Sequence, residues 1–126
     1  MTGDDYALIG GVEGTTAVRI TDPLQPVMVA FLPTQVSGSD GLWRDIKVFN
    51  DHAYIVSEIP DHGVQVLDLT GLRDLDGSQL VTLQALAVCD GIGSSHNTAI
   101  NENRGVAFMV GSTDDSIVGP AMMVCT

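Results

Sequence analysis

Six polar side chains recur at matching positions of a repeated pattern, and they form the candidate ligand-binding site of this chain. They are Arg44, Asp45, Glu58, His62, His96 and Asn97. Imidazoles and carboxylates are ligands of zinc and other transition ions, so His62 and His96, with Glu58 or Asp45, are candidates to bind a divalent metal. The sequence holds no His-x-His or His-Glu-x-x-His spacing. Metal binding is therefore a hypothesis that depends only on where these residues are expected to lie. Any other cofactor is unknown.

The same residues also have structural interpretations. Asp45 and Asn97 at strand starts would accept hydrogen bonds from neighbouring backbone amides. Arg44 would pair with Asp45 of a neighbouring strand or with Asp40, as an exposed ion pair of little consequence for stability. His96 would bond a carbonyl, and Trp43, the single tryptophan, would pack between sheets. If His62 and His96 face carboxylates instead, their pKa values rise.

Motifs for other chemistry are missing or weak. There is no Gly-x-Ser-x-Gly, and Ser94 and Ser95 adjoin His96 on a strand, where neighbouring side chains point apart. The glycines at 91 and 93 precede no helix, so they are not a nucleotide loop. The acidic stretches 74–76 and 114–115 suggest calcium but match no EF-hand or RTX pattern. The lack of a catalytic constellation favours a non-catalytic protein, with an enzyme as the alternative.

Composition limits the partners. The 126 residues carry 5 basic and 16 acidic side chains, a net charge of −11, which disfavours nucleic acid and anionic membranes. No apolar run is as long as a membrane span, and no signal peptide is present in this chain. Cys89 and Cys125 form either one disulfide or two buried thiols.

The segments that carry these polar residues are predicted to be β-strands. Short apolar runs bounded by Gly, Pro, Asn and Asp predict an all-β protein. The expected strands are 6–9, 17–21, 27–32, 43–49, 53–57, 64–69, 80–87, 97–101, 106–110 and 121–125. Residues 71–80 are expected to form a loop. Several strands are apolar on both faces, so sheets must stack on sheets.

An internal repeat groups these strands into blades. WRDIKV at 43–48 and AYIVS at 53–57 correspond to SHNTAI at 95–100 and AFMVG at 107–111. The period is about fifty residues with about four strands, as in β-propellers. In such a blade the first strand starts where the second strand ends. Arg44 and His96 therefore occupy equivalent positions beside the mouth of a central channel, as do Asp45 and Asn97.

Two sets of motifs resemble a known family. VRITDP at 18–23 with PV at 26–27 is similar to the LVIVD repeat. WRDIKV at 43–48, HGVQVLDLT at 62–70 and SHNTAINE at 95–102 resemble the choice-of-anchor B family. The resemblance implies a β-propeller of extracellular or cell-surface proteins.

On this basis we expect one partial β-propeller domain over residues 1–126, an incomplete ring of radially stacked, four-stranded antiparallel blades. A partial blade spans about 5–33, a complete one about 43–87 and another partial one about 96–126. The expected function is non-catalytic binding or scaffolding, with a protein or carbohydrate ligand. The alternative is a metal-dependent or other enzyme with its site around His96 and His62. The open ring also predicts either a homo-oligomer that completes it or aggregation.

Overall fold

The computed structural model describes residues 3–37 and 43–113, which contain ten strands and one short 3₁₀ helix. The strands are β1 (Tyr6–Gly10), β2 (Gly14–Arg19), β3 (Val27–Pro33), β4 (Arg44–Phe49), β5 (His52–Ser57), β6 (Val64–Asp68), β7 (Val81–Thr82), β8 (Ala87–Cys89), β9 (Asn97–Asn101) and β10 (Val106–Val110). The all-β prediction is confirmed. The predicted strand at 121–125 lies outside the described residues.

The strands form three open sheets. The first has the order β1-β2-β3-β7, the second β4-β5-β6-β8, and the third, among the described residues, is the pair β9-β10. Neighbouring strands are antiparallel except β3 and β7, which run parallel. This arrangement is compatible with consecutive blades of an incomplete propeller.

Two apolar layers hold the sheets together. Between the first and second sheets lie Leu32, Ile55 and Leu67, all at most 3% exposed. Between the second and third sheets lie Val56 and Met109, each 0% exposed. Adjacent residues on β5 thus point to opposite faces, as a strand requires. The middle sheet is covered on both faces, which explains why β5 carries buried apolar side chains on both of its faces.

The prediction of one strand over 80–87 is wrong. Val81 pairs with Ala30 of the first sheet, whereas Ala87 pairs with Val66 of the second. Leu83 lies between the two strands and contacts both apolar clusters of these sheets. The segment crosses from one sheet to the other because each has an outer edge strand with unpaired backbone groups. The first sheet therefore gains a fourth strand that the sequence had assigned to the middle unit.

Two smaller differences concern local chemistry. Residues 71–74, expected as the start of a loop, belong to the 3₁₀ helix Thr70–Asp74, which buries Leu72 between the sheets. The side chain of Asp68 accepts hydrogen bonds from the Thr70 amide and hydroxyl at the start of this helix. Strand β2 begins at Gly14 and ends at Arg19 rather than spanning 17–21. No helix in the described ranges is long and apolar enough to cross a bilayer.

Candidate functional site

The predicted site residues gather at one end of the stacked sheets, which we name the rim. Strands β4 and β9 begin there, and β5 and β10 end there, because Arg44 pairs with Ser57 and Asn97 pairs with Val110. Glu58 follows β5 directly, and the His62 amide donates a hydrogen bond to the carbonyl of Ile59 in the next turn. The prediction that the first strand of a blade starts where the second strand ends is therefore confirmed. The six side chains nevertheless do not form a single cluster.

Arg44 and His62 form the first group, and this group is structural. An Arg44 Nη1 lies 2.9 Å from His62 Nε2, and His62 Nδ1 lies 2.9 Å from the Gly63 carbonyl oxygen. A guanidinium can only donate and a carbonyl can only accept. His62 is therefore the neutral tautomer that carries its proton on Nδ1 and accepts at Nε2. Both nitrogens are occupied, so His62 has no lone pair left for a metal.

Burial and charge agree with this assignment. The His62 side chain is 0% exposed. Desolvation of the imidazolium lowers the pKa of His62, and the neighbouring positive charge of Arg44 lowers it further, although the bond to the Gly63 carbonyl acts in the opposite direction. The condition for a raised pKa, a facing carboxylate, is therefore not met at His62, because a guanidinium occupies that position.

Arg44 also ties the second sheet to the first. Its Nε donates to the carbonyl of Gly11 at 3.0 Å and its Nη2 to the Thr34 hydroxyl at 2.9 Å. The expected pairing of Arg44 with Asp45 is wrong, since the two are adjacent on β4 and point to opposite faces. The other expected partner, Asp40, lies outside the described residues.

Asp45 connects the second sheet to the third. Its carboxylate accepts hydrogen bonds from the amide of Thr98 at 2.8 Å and from that of Ile46 at 3.0 Å, and from the Lys47 ammonium. Partial burial opposes ionisation of Asp45, but the bonds from Lys47, Thr98 and Ile46 outweigh it and lower the pKa of this carboxyl. The backbone-bonding interpretation of Asp45 is confirmed. The Asn97 side chain is exposed, and its backbone carbonyl accepts a bond from Ser95 Oγ.

The second group, which we name the Trp43 cluster, consists of Trp43, Glu58 and His96. His96 Nδ1 lies 2.5 Å from Glu58 Oε1, and the two side chains are 51% and 33% exposed. The Trp43 ring centre lies 6.5 Å from that of His96, and the residue is 61% exposed. Trp43, expected to pack between sheets, lies beside His96 of the next unit but stays largely exposed rather than covered there. The carbonyl expected as the partner of His96 is likewise replaced by a carboxylate.

Nearby hydroxyl groups are engaged with the framework. Ser95 Oγ lies 3.1 Å from the carbonyls of both Asn97 and Val110, and Ser94 Oγ lies 2.6 Å from Thr113 Oγ1. Within the described part of the chain, Glu58 is the one group that hydrogen-bonds to the His96 imidazole. The geometry thus contains a histidine–carboxylate pair without a nucleophile bonded to it.

The metal and calcium hypotheses find no support in the arrangement of side chains. Across residues 3–37 and 43–113, no three His, Cys, Asp or Glu side chains are placed to hold a metal ion. In the acidic loop 74–76, Asp76 accepts a hydrogen bond from the Ser78 amide, which is ordinary turn chemistry. The other acidic stretch, 114–115, lies outside the described residues.

Sequence reasoning missed Trp43 as a site residue. The repeat places it at the position of Ser95, directly before the rim residue Arg44, and that placement was the available signal. Of the two cysteines, Cys89 is disulfide-bonded, and Cys125 lies outside the described residues. No family model, no curated protein and no solved structure matches the chain.

Proposed function

We propose that this chain is a non-catalytic binding module of an extracellular or cell-surface β-propeller of the choice-of-anchor B type. The motifs quoted above support the family, and the stacked open sheets are compatible with propeller blades. The disulfide at Cys89 supports an oxidising compartment, where such bonds persist. The acidic net charge of −11 is in keeping with a ligand other than nucleic acid.

One observation carries the choice of binding surface. Arg44, Asp45 and His62 direct their polar atoms at the framework, whereas Trp43 and His96 are exposed and Glu58 is partly exposed at the rim. An exposed indole offers an apolar face, and the adjacent carboxylate and imidazole offer hydrogen-bonding atoms. Ligand sites combine these two features, and a saccharide presents both an apolar ring face and hydroxyl groups. Carbohydrate is therefore the ligand class that we propose, with a protein ligand as the second option.

The single tryptophan makes the test direct. Binding at the Trp43 cluster should change the intrinsic fluorescence, because no other indole contributes to it. We expect a panel of neutral and acidic oligosaccharides to contain at least one that gives saturable quenching or enhancement. Glu58→Gln or His96→Ala should weaken that binding about 10- to 100-fold, the effect of losing a hydrogen bond to a charged group. His52→Ala, in the hairpin at the opposite end of β5, is the control and should bind normally.

Two results would contradict this proposal. Fluorescence that stays unchanged across the panel contradicts carbohydrate binding at the Trp43 cluster, and peptide libraries then test the protein option. Binding that is indifferent to both Glu58→Gln and His96→Ala removes the Trp43 cluster as the site.

The enzymatic alternative has one observation in its favour. Glu58 fixes His96 through Nδ1, which leaves Nε2 for acid–base chemistry, as in histidine–carboxylate pairs of hydrolases. The two functions separate by product analysis of any oligosaccharide that binds. New reducing ends that disappear with His96→Ala would establish the enzyme, whereas binding without turnover supports the module.

A further inference from the structure

The outer face of the first sheet is largely apolar and partly exposed. Cross-strand pairing places Ile9, Thr16 and Phe31 in one row and Ala7, Val18 and Met28 in the next, on the side away from the second sheet. We name these six residues the first end face. Ile9 is 55% exposed and Met28 is 62% exposed. None of the six carries a charge.

The opposite end of the stack has a similar surface on the third sheet. The side chains that point away from the second sheet are Asn97, Ala99, Asn101, Val106, Phe108 and Val110. We name them the second end face. Phe108 is 38% exposed and Val110 is 48% exposed, whereas Met109, which points the other way, is 0% exposed. This face also carries no charged side chain.

The middle sheet shows what such faces contact. Val110 lies 54 residues after Val56, its equivalent in the repeat, which is 0% exposed because the third sheet covers it. Val18 lies 49 residues before its equivalent Leu67, which is 3% exposed because the first sheet covers it. The chain therefore already contains the contact between these two types of face twice. Its two ends present one face of each type.

We propose that copies of this chain associate head to tail, with the first end face of one copy packed on the second end face of the next. The new contact continues the stacking that joins the sheets within the chain. Although the net charge is −11, both faces are uncharged, so association does not bury carboxylates against each other. A contact between unlike faces is heterologous, and it produces closed rings or open filaments according to the rotation per copy. This inference concerns a different surface from the Trp43 cluster.

A pair of complementary variants distinguishes head-to-tail association from contacts between like faces and from aggregation. Multi-angle light scattering of the wild-type chain should show a mass above the monomer that rises with concentration. Ile9→Glu disables the first end face and Phe108→Glu the second, so each variant alone should be monomeric. An equimolar mixture should form a one-to-one dimer and nothing larger, because one good face of each type remains. Leu24→Glu, at a loop residue that is 89% exposed, is the control and should associate like the wild type.

Each remaining outcome overturns the proposal. A wild-type chain that stays monomeric shows that the two end faces do not associate. Self-association that survives in one single variant indicates a contact between like faces, and survival in both indicates non-specific aggregation. Far-UV circular dichroism checks that the variants fold. Met28→Lys and Val110→Lys provide a second pair with the same expectations, should either glutamate variant fail this check.

Discussion

At the scale of single residues, the polar side chains of the rim divide by the kind of atom they bond. Asp45 accepts a hydrogen bond from the Thr98 amide of the neighbouring sheet, and Arg44 donates to the Gly11 carbonyl and the Thr34 hydroxyl beside the first sheet. Such bonds fix how one sheet sits against the next, since they give partners to the Thr98 amide and to the Gly11 carbonyl. Asp45 and Arg44 therefore serve the architecture, whereas the Trp43 cluster is free to meet a ligand.

Asp45→Ala should destabilise the protein by about 1.5–3 kcal/mol, because the Thr98 amide loses a charged acceptor and stays part-buried. Lys47→Ala separates this effect from the ion pair. The Lys47 side chain is 46% exposed, so its bond to Asp45 should contribute at most about 1 kcal/mol. Urea denaturation of both variants measures the difference. Equal losses would show that the ion pair, rather than the backbone bond, gives Asp45 its role.

His62 predicts how stability depends on pH. Burial lowers the pKa of His62 in the folded state, so the unfolded chain binds a proton that the folded chain does not. The free energy of unfolding should therefore fall as the pH drops from about 6.5, the unperturbed histidine value, towards the lowered value. The slope from one proton is at most about 1.4 kcal/mol per pH unit.

Urea titrations between about pH 7.5 and pH 5 test this prediction. His62→Gln should remove the slope, while His52→Gln should retain it. A decline that is confined to lower pH would instead implicate carboxyl groups such as Asp45 and Asp68. The pKa values of both are lowered in the folded state, so the stability that they contribute is lost only below about pH 4. A slope that persists in His62→Gln would contradict the assignment of the neutral tautomer.

At the scale of elements, local signals in the sequence predicted the strands and tight turns, which depend on residues close together in the chain. The strands at 97–101 and 106–110 occur as expected, and the Asn50–Asp51 turn has positive φ at both residues, the type I′ geometry that an Asn-Asp pair permits. Long-range choices were not predictable. The run 80–87 is mostly apolar, and nothing local says which sheet edge each half joins.

The site shows the same division. The repeat placed the six polar residues at one rim, because strand order alone decides which ends meet. Their partners depend on contacts between distant segments, such as Arg44 with Thr34 and Glu58 with His96. The sequence predicts where residues lie along the strands but not where their side chains point between sheets. The predicted metal site with both His62 and His96 therefore does not form in the structure.

Two glycines predict opposite effects of substitution by alanine. Gly63 has φ +67°, and an added Cβ would lie 2.5 Å from the Cys89 carbonyl oxygen on the neighbouring strand. Gly63→Ala should destabilise the protein by about 2 kcal/mol or more, from the left-handed backbone and the clash together. Gly71→Ala meets no atom within 4 Å and has no positive φ, so it should be neutral or stabilising by up to about 1 kcal/mol. Thermal unfolding compares them, and equal effects would refute the strain argument.

At the scale of the whole molecule, the chain is a stack whose stability comes from contacts between neighbours. Only the middle sheet is covered on both faces, and each end sheet has one apolar face without a cover among the described residues. In such stacks every added interface stabilises the units on either side. Self-association through the end faces and folding stability should therefore be coupled, so that the chain unfolds at higher temperature as its concentration rises.

The charge distribution predicts the salt dependence of that association. Two copies with a net charge of −11 each repel at long range, yet the faces that meet carry no charge. Raising the ionic strength from about 0.01 M to about 0.15 M shortens the screening length from about 30 Å to about 8 Å. Repulsion should then weaken while the apolar contact is unaffected, so the oligomer mass measured by light scattering should rise with salt. Phe108→Glu, lacking one face, should stay monomeric at both ionic strengths. An oligomer that dissociates as salt is added would show instead that ion pairs hold the copies together, and the uncharged end faces would not be the contact.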